Sequence, residues 1–165
     1  MAEKLSTLED LFVKGLQDLY SAENQLIEAL PKMAKKARTE ELRRGFEQHL
    51  EQTKEQARRI EQIFENREGD SPRGKKCVGM AGIIKEGEEV MSEKIDRDVL
   101  DAALIAAAQH AEHYEIAGYG TCRTYAQQLG EDEAAELLQM SLDEEIATDK
   151  KLTKMAESQV NQKAM

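Results

Sequence analysis

Six residues stand out for the chemistry they could do: Glu23, His49, Glu112, Glu115, Glu145 and Asp149. Five are acids on stripes where apolar residues are expected. Leu19, Leu26 and Leu30 mark one helical face, and Glu23 sits on that face. Leu104, Ala108, Ala111 and Cys122 mark another, which carries Glu115, with Glu112 about 60° away at roughly 100° per residue. On a third, Glu145 and Asp149 interrupt Leu138, Leu142 and Leu152. An ionised carboxylate is almost never fully buried without a partner. Protonation, a Lys or Arg, or a bound cation must compensate. No Lys or Arg falls on the expected inner stripes near these acids. A pair of divalent or trivalent metal ions compensates several carboxylates at once, and oxygen-rich sets joined by imidazole suit iron and manganese. The competing reading is a solvated acidic face, reached by a one-residue error in helix phase. The joint pattern, with Glu112-x-x-Glu115, favours the metal.

The second helix leaves a choice open. His49 lies about 60° from Phe46 and on the side of Thr53, whereas Glu51 lies about 140° from Phe46 and off the stripe. A lone histidine near a core is more often a hydrogen-bonded structural residue, but His49 would face an acid cluster. Lys54 stands where a Glu-x-x-His motif would need its histidine, and as an ammonium it pairs with a carboxylate rather than a metal. His110 and His113 point away from the Glu115 face and read as surface or interface residues.

The elements that must position these groups are helical. Ala, Leu, Glu, Lys and Gln dominate the sequence. Ser6 and Glu9 form a capping-box signature ahead of Leu8, Leu11, Phe12, Leu16 and Leu19, which recur at helical steps. Pro31 predicts a kink in this first helix, which ends near Arg38. Thr39 is an N-cap candidate for the second, with Leu42, Phe46, Leu50, Thr53, Ala57, Ile60 and Phe64 inward. Asn66 to Gly74 is the clearest loop. A shorter amphipathic stretch follows, with Val78, Ala81, Ile84 and Met91 on one side. Asp98 opens a long Ala-rich helix that Gly130 ends, and a last helix begins near Asp132 and frays before Met165. Four long helices with a crossover of about thirty residues between the second and third make an all-α bundle of hairpin, crossover and hairpin. The hairpins also look faintly repetitive: Glu23 precedes Thr39 by the same interval that separates Glu115 from Glu131.

The 165 residues fit a single domain over 1–165, with 34% charged residues and a net charge of −10. That acidity argues against nucleic-acid binding, as does the nearly neutral stretch SQVNQKAM at the C-terminus. No apolar run is long enough to span a membrane. Met1 to Asp10 lacks the basic start and apolar stretch of a signal peptide, so the cytoplasm is the expected location. Cys77 and Cys122 show no CxxC spacing and read as reduced, buried thiols.

The motifs DLYSAENQL (18–26), HLEQT (49–53), KCVGMAGIIKEGEE (76–89), DAALIAAAQHAEHYEIAGYG (101–120) and EEIATDKKLT (144–153) closely resemble the YciE/YciF-type bacterial stress proteins over nearly the whole chain. The resemblance implies a ferritin-like four-helix bundle with a short extra helix in its crossover, a homodimer, and kinship with rubrerythrin-type carboxylate-bridged di-iron proteins. It implies that Glu23 is the single first-helix ligand, that Glu112 and Glu115 are the paired third-helix acids, that Glu145 bridges, and that Asp149 completes the set. The second helix departs from the usual Glu-x-x-His, which puts one metal position in doubt. Tyr20, Tyr114 and Tyr119 are neighbouring tyrosines, with Tyr20, one turn before Glu23, the foremost.

The expectation is therefore a stress-response protein with a dinuclear iron site, manganese being the other candidate, that meets peroxide or oxygen. The alternative is a structural or interaction dimer whose acids bind metal weakly or only structurally. Iron storage in a hollow cage has no support in the sequence. The short helix after the loop is one candidate for the dimer surface.

Overall fold

The computed structural model describes residues 5–165. Residues 1–4, part of the expected domain and of the stretch from Met1 to Asp10, lie outside the described residues. Five helices follow one another: α1 (Leu8–Lys36), α2 (Glu40–Glu65), α3 (Val78–Ser92), α4 (Arg97–Leu129) and α5 (Asp132–Met155). A wider turn over Ala156–Val160 and a short helical piece, Asn161–Lys163, extend α5 beyond the fraying expected there. No strand occurs among the described residues. α1 packs along α2 and α4 along α5; the two hairpins then close on each other through α1 with α4 and α2 with α5. α3 lies in the crossover, against α1 and α4. This is the four-helix bundle with one long connection, the ferritin-like arrangement.

The helix ends show how local chemistry sets the frame. The α1 cap is Thr7 with Asp10, one residue later than Ser6 with Glu9. Thr7 Oγ1 accepts from the Asp10 N–H, and the Asp10 carboxylate accepts from the Thr7 and Ser6 N–H groups at 2.9 and 2.7 Å. Glu9 is drawn away instead by Arg67, which it pairs with in the loop after α2. Thr39 does stand at the N-cap of α2, but its side chain makes no capping bond. Asp101, buried on α4, does that work from across the bundle, accepting from the Arg38 and Thr39 N–H groups at 2.7 and 2.9 Å. α1 runs through Pro31 without ending. Gly130 closes α4 at φ 74°, a left-handed position that suits glycine.

The crossover is pinned to α1. Cys77 at the N-cap of α3 donates its N–H to Ser21 Oγ at 2.8 Å, and its carbonyl accepts from Gln25 Nε2 at 3.1 Å. α3 turns its face differently from expectation. Val78 is 83% exposed, whereas Met80 and Gly87 are buried and Ile83, Ile84 and Met91 pack partly. Its register is set by Cys77, whose Sγ accepts from the Met80 N–H and so directs Met80 inward. Both cysteines are free and buried.

Candidate metal centre

Each long helix switches from apolar to polar at the same level. The inward side chains run Leu19, Glu23, Leu26 on α1 and Phe46, His49, Thr53, Gln56, Ile60 on α2. On α4 they run Ala111, Glu112, Glu115, Tyr119, and on α5 Leu138, Ser141, Glu145, Leu152. The core is therefore two apolar clusters, one toward each end of the bundle, with a polar layer between them. Glu23, Glu112, Glu115 and Glu145 are each 0% exposed. α4 lies close to α1 at this level: a Cβ on Gly118 would meet Leu19 Cδ2 at 2.7 Å, so a larger residue there would have to displace the Leu19 side chain.

Four of these residues converge. His49, Glu112, Glu115 and Glu145 each offer a ligand atom, and these atoms lie within 4.8 Å of one another. His49 Nδ1 is 3.1 Å from Glu112 Oε1, and its Nε2 is 3.8 Å from Glu145 Oε2. Neither contact is aligned as a hydrogen bond: both His49 nitrogens, all four oxygens of Glu112 and Glu115, and Glu145 Oε2 lack a hydrogen-bond partner among the described residues. Glu23 joins the layer through a hydrogen bond from Tyr119 Oη. Gln56 Nε2 donates to Glu145 Oε1 at 2.5 Å and to Glu144 Oε2 at 3.1 Å. Arg59 then grips Glu144 with both guanidinium nitrogens, at 2.7 and 2.8 Å.

The electrostatics follow from burial and like charge. Burial, with Glu145 nearby, pushes the Glu23 carboxyl up to about 8, although the Tyr119 hydrogen bond pulls the other way. Burial pushes Glu112 up to about 12, reinforced by its contact with Glu145. Glu115 is driven well above the ordinary carboxylate range by burial and then by Glu145 and Glu23. His49 is shifted below its usual value by burial, against the pull of Glu145, so it is a neutral imidazole with a free lone pair. Neutral imidazole beside carboxylates is the state a metal requires.

Asp149 stands apart from this set. It lies beyond Glu145 at the seam of α4 and α5, accepting from Gln109 Nε2 at 3.0 Å and sitting 3.2 Å from His113 Nε2. His113 is thus an exposed partner of Asp149, and His110 is exposed as expected. The choice on α2 falls to His49 by position: Glu51 is 70% exposed and pairs with Lys54 at 2.7 Å. The neighbouring tyrosine is Tyr119 rather than Tyr20. Tyr20 turns to the rim, donating to Glu61 at 2.6 Å, and Tyr114 meets Cys77 Sγ at 2.9 Å. Gln56, Ser141 and Arg59 were not among the expected site residues. Gln56 lies one turn after Thr53 on the same face, which is the signal that would have found it. Arg59 shows that a buried cation does lie near the layer, but it is committed to Glu144.

The donor set fits a metal. Three clustered carboxyls and a neutral imidazole, with ligand atoms within 4.8 Å of one another and unpartnered oxygens and nitrogens, supply an oxygen-rich, imidazole-containing set that could hold a metal ion. No helix among the described residues is long and apolar enough to cross a membrane. Fold and site together define a ferritin-like helical bundle with a buried carboxylate–histidine cluster able to hold a metal ion.

The chain belongs to the family described as a domain of unknown function, DUF892, which matches residues 7–165. It is 49% identical over 160 residues to protein YciF of Escherichia coli (strain K12), covering 97% of this chain and 96% of that one. The crystal structure of that stress protein superposes with a TM-score of 0.91, covering 95% of this chain and 99% of the other. YcfI from Rhodopseudomonas palustris matches at a TM-score of 0.88 and 43% identity, over 93% and 97% of the two chains. A protein from Xanthomonas campestris pv. campestris matches at 0.75 and 25%, over 96% and 97%.

Proposed function

We propose that this protein is a stress-response protein that holds a carboxylate-rich dinuclear metal centre, iron first and manganese second, and works as a homodimer. Its counterpart in the reaction is a small oxidant, dioxygen or hydrogen peroxide. The observation that carries the reading is the convergence of His49, Glu112, Glu115 and Glu145 with buried ligand atoms left unpartnered. Similarity to the stress protein YciF supports the physiological setting.

Glu112, Glu115, Glu145 and His49 would be the ligands, with Glu23 on the α1 side. Bound ferrous iron supplies the electrons that reduce an oxidant. The Gln56 amide orients Glu145 and leaves its second oxygen free. Tyr119 Oη donates to Glu23 and holds a proton at the edge of the layer. Two apolar clusters above and below keep bulk water out, which strengthens every charge interaction inside.

A second reading has its own observation. Burial and like charge push Glu112 up to about 12 and Glu115 well above the ordinary carboxylate range, which favours their protonated forms and lessens the charge of the cluster without metal. The protein would then be a structural helical dimer. Elemental analysis after anaerobic loading with ferrous iron separates the two. Bound iron in the wild type, lost in Glu115→Ala with Glu145→Ala, supports the metal centre. A wild type that retains none supports the structural reading.

A further inference from the structure

An apolar void of about 30 Å³ lies between α1, α3 and α4 and runs to the polar layer. Small side chains make it: Ala29 of α1, Gly87 of α3, and Ala107, Ala108 and Ala111 of α4. A Cβ on Gly87 would meet Ala107 Cβ at 3.6 Å, ordinary contact, so tight packing of α3 on α4 does not itself demand glycine there. The inner end is formed by His49 and Glu112, both buried and both carrying unpartnered atoms. The outer end meets the exposed Lys32–Glu88 ion pair, which ties α1 to α3 at 3.2 Å.

The volume suits one molecule of about the size of water, but water is a poor occupant. A buried water needs two to four polar partners, and nearly all of this wall is hydrocarbon. Once His49 and Glu112 serve a metal, the polar groups left in the wall are Lys32 and Glu88, which pair with each other at the outer rim, and the inner stretch offers water or hydrogen peroxide no partner. Dry apolar cavities take apolar guests such as xenon. We infer that the void beneath α3 is an access pocket for dioxygen, delivering it to the His49–Glu112 side of the cluster in preference to hydrogen peroxide. The inference deepens the metal-centre reading and rests on it for its consequence, but the pocket can be tested without metal.

Crystals of the metal-free protein pressurised with xenon are the first test. Xenon is expected between Ala108 and His49 in the wild type and absent in Ala108→Val, whose added carbons fill the void. A wild-type crystal with no xenon there overturns the inference. The second test uses ferrous-loaded protein. Filling the pocket should slow oxidation by dioxygen about fivefold or more, while oxidation by hydrogen peroxide stays within about twofold. Equal slowing for both oxidants, or for neither, overturns the selectivity. Ala29→Val serves if Ala108→Val does not fold. Xenon uptake by a protein that binds no iron would sustain the gas pocket and remove the metal centre, so the two failures are told apart.

Discussion

The two hairpins meet at the polar layer as unequal halves. From α4 and α5 come Glu112, Glu115 and Glu145, three carboxyls with no cation committed to them. From α1 and α2 come Glu23, His49, Thr53 and Gln56: one acid, hydrogen-bonded by Tyr119, and three groups that are neutral or made so by burial. The halves correspond in position, because Thr53 follows Thr39 by the interval that separates Glu145 from Glu131. Where one hairpin has a carboxylate, its counterpart has a hydroxyl that donates to the His49 carbonyl at 2.9 Å. The bundle thus puts three of the layer's four buried glutamates on one half and packs a neutral imidazole and amide beside the fourth on the other. A metal held here would be bound unsymmetrically, by the acids of one hairpin and the nitrogen of the other.

The largest expected effect comes from emptying the acid half. Glu115→Ala with Glu145→Ala should weaken ferrous or manganous binding by more than about 100-fold, exceeding what outer-shell partners of a metal contribute. The same change should raise the melting temperature of the metal-free protein at pH 8, because two like groups are gone from a dry layer. Calorimetric titration and a thermal melt check both arms.

Making the halves alike is the next test. Thr53→Glu adds a carboxyl to the neutral side. The metal-free variant should melt about 5–10 °C lower, as a buried unpaired acid requires, and added manganese should restore most of the loss. A melt that manganese leaves unchanged would mean the added acid does not reach the metal.

Acidity probes the same asymmetry with a smaller effect. Glu23 and Glu112 have folded-state values of about 8 and about 12, above the ordinary 4.5. The folded state therefore holds protons that the unfolded chain releases, so these groups stabilise most fully below pH 4.5. Their contribution declines as pH rises, with Glu23 exhausted near 8. The metal-free protein should lose stability steadily between pH 5 and pH 8, read as a falling melting temperature. With metal bound, the slope should flatten or reverse, since metal and protons compete for the same oxygens.

Tyr119→Phe should have the smallest effect. It removes the hydrogen bond that most lowers the Glu23 value, so the upper end of that pH transition moves higher while metal affinity falls only about tenfold. Melting curves across pH and a metal titration record both.

Much of this layer was legible in the sequence because an acid on an apolar stripe breaks a strict pattern. Glu23, Glu112, Glu115 and Glu145 could be placed from helical phase alone, as could the bundle, the loop at 66–74 and the Gly130 stop. The misplacements have physical causes. Asp149 continues the stripe on paper, but Gln109 and His113 of α4 draw it to the seam. Tyr20 is near Glu23 along one helix, whereas Tyr119 reaches it from another, and a partner on a second helix leaves no mark in local spacing. Gln56 breaks no charge rule in the sequence; its role comes from Glu145 on another helix, to which it donates. Thr7 with Asp10 forms the cap in place of Ser6 with Glu9, and Glu9 pairs instead with Arg67, a partner distant in sequence.

The most direct test of the central idea is an anomalous-difference map over the bundle centre, from crystals grown with ferrous iron under anaerobic conditions. Density for metal among the oxygens of Glu112, Glu115 and Glu145 and a nitrogen of His49 is the expected result, weighted toward the α4–α5 side. An empty centre, with the Glu112 and Glu115 carboxyls protonated and bonded to their neighbours, would contradict it.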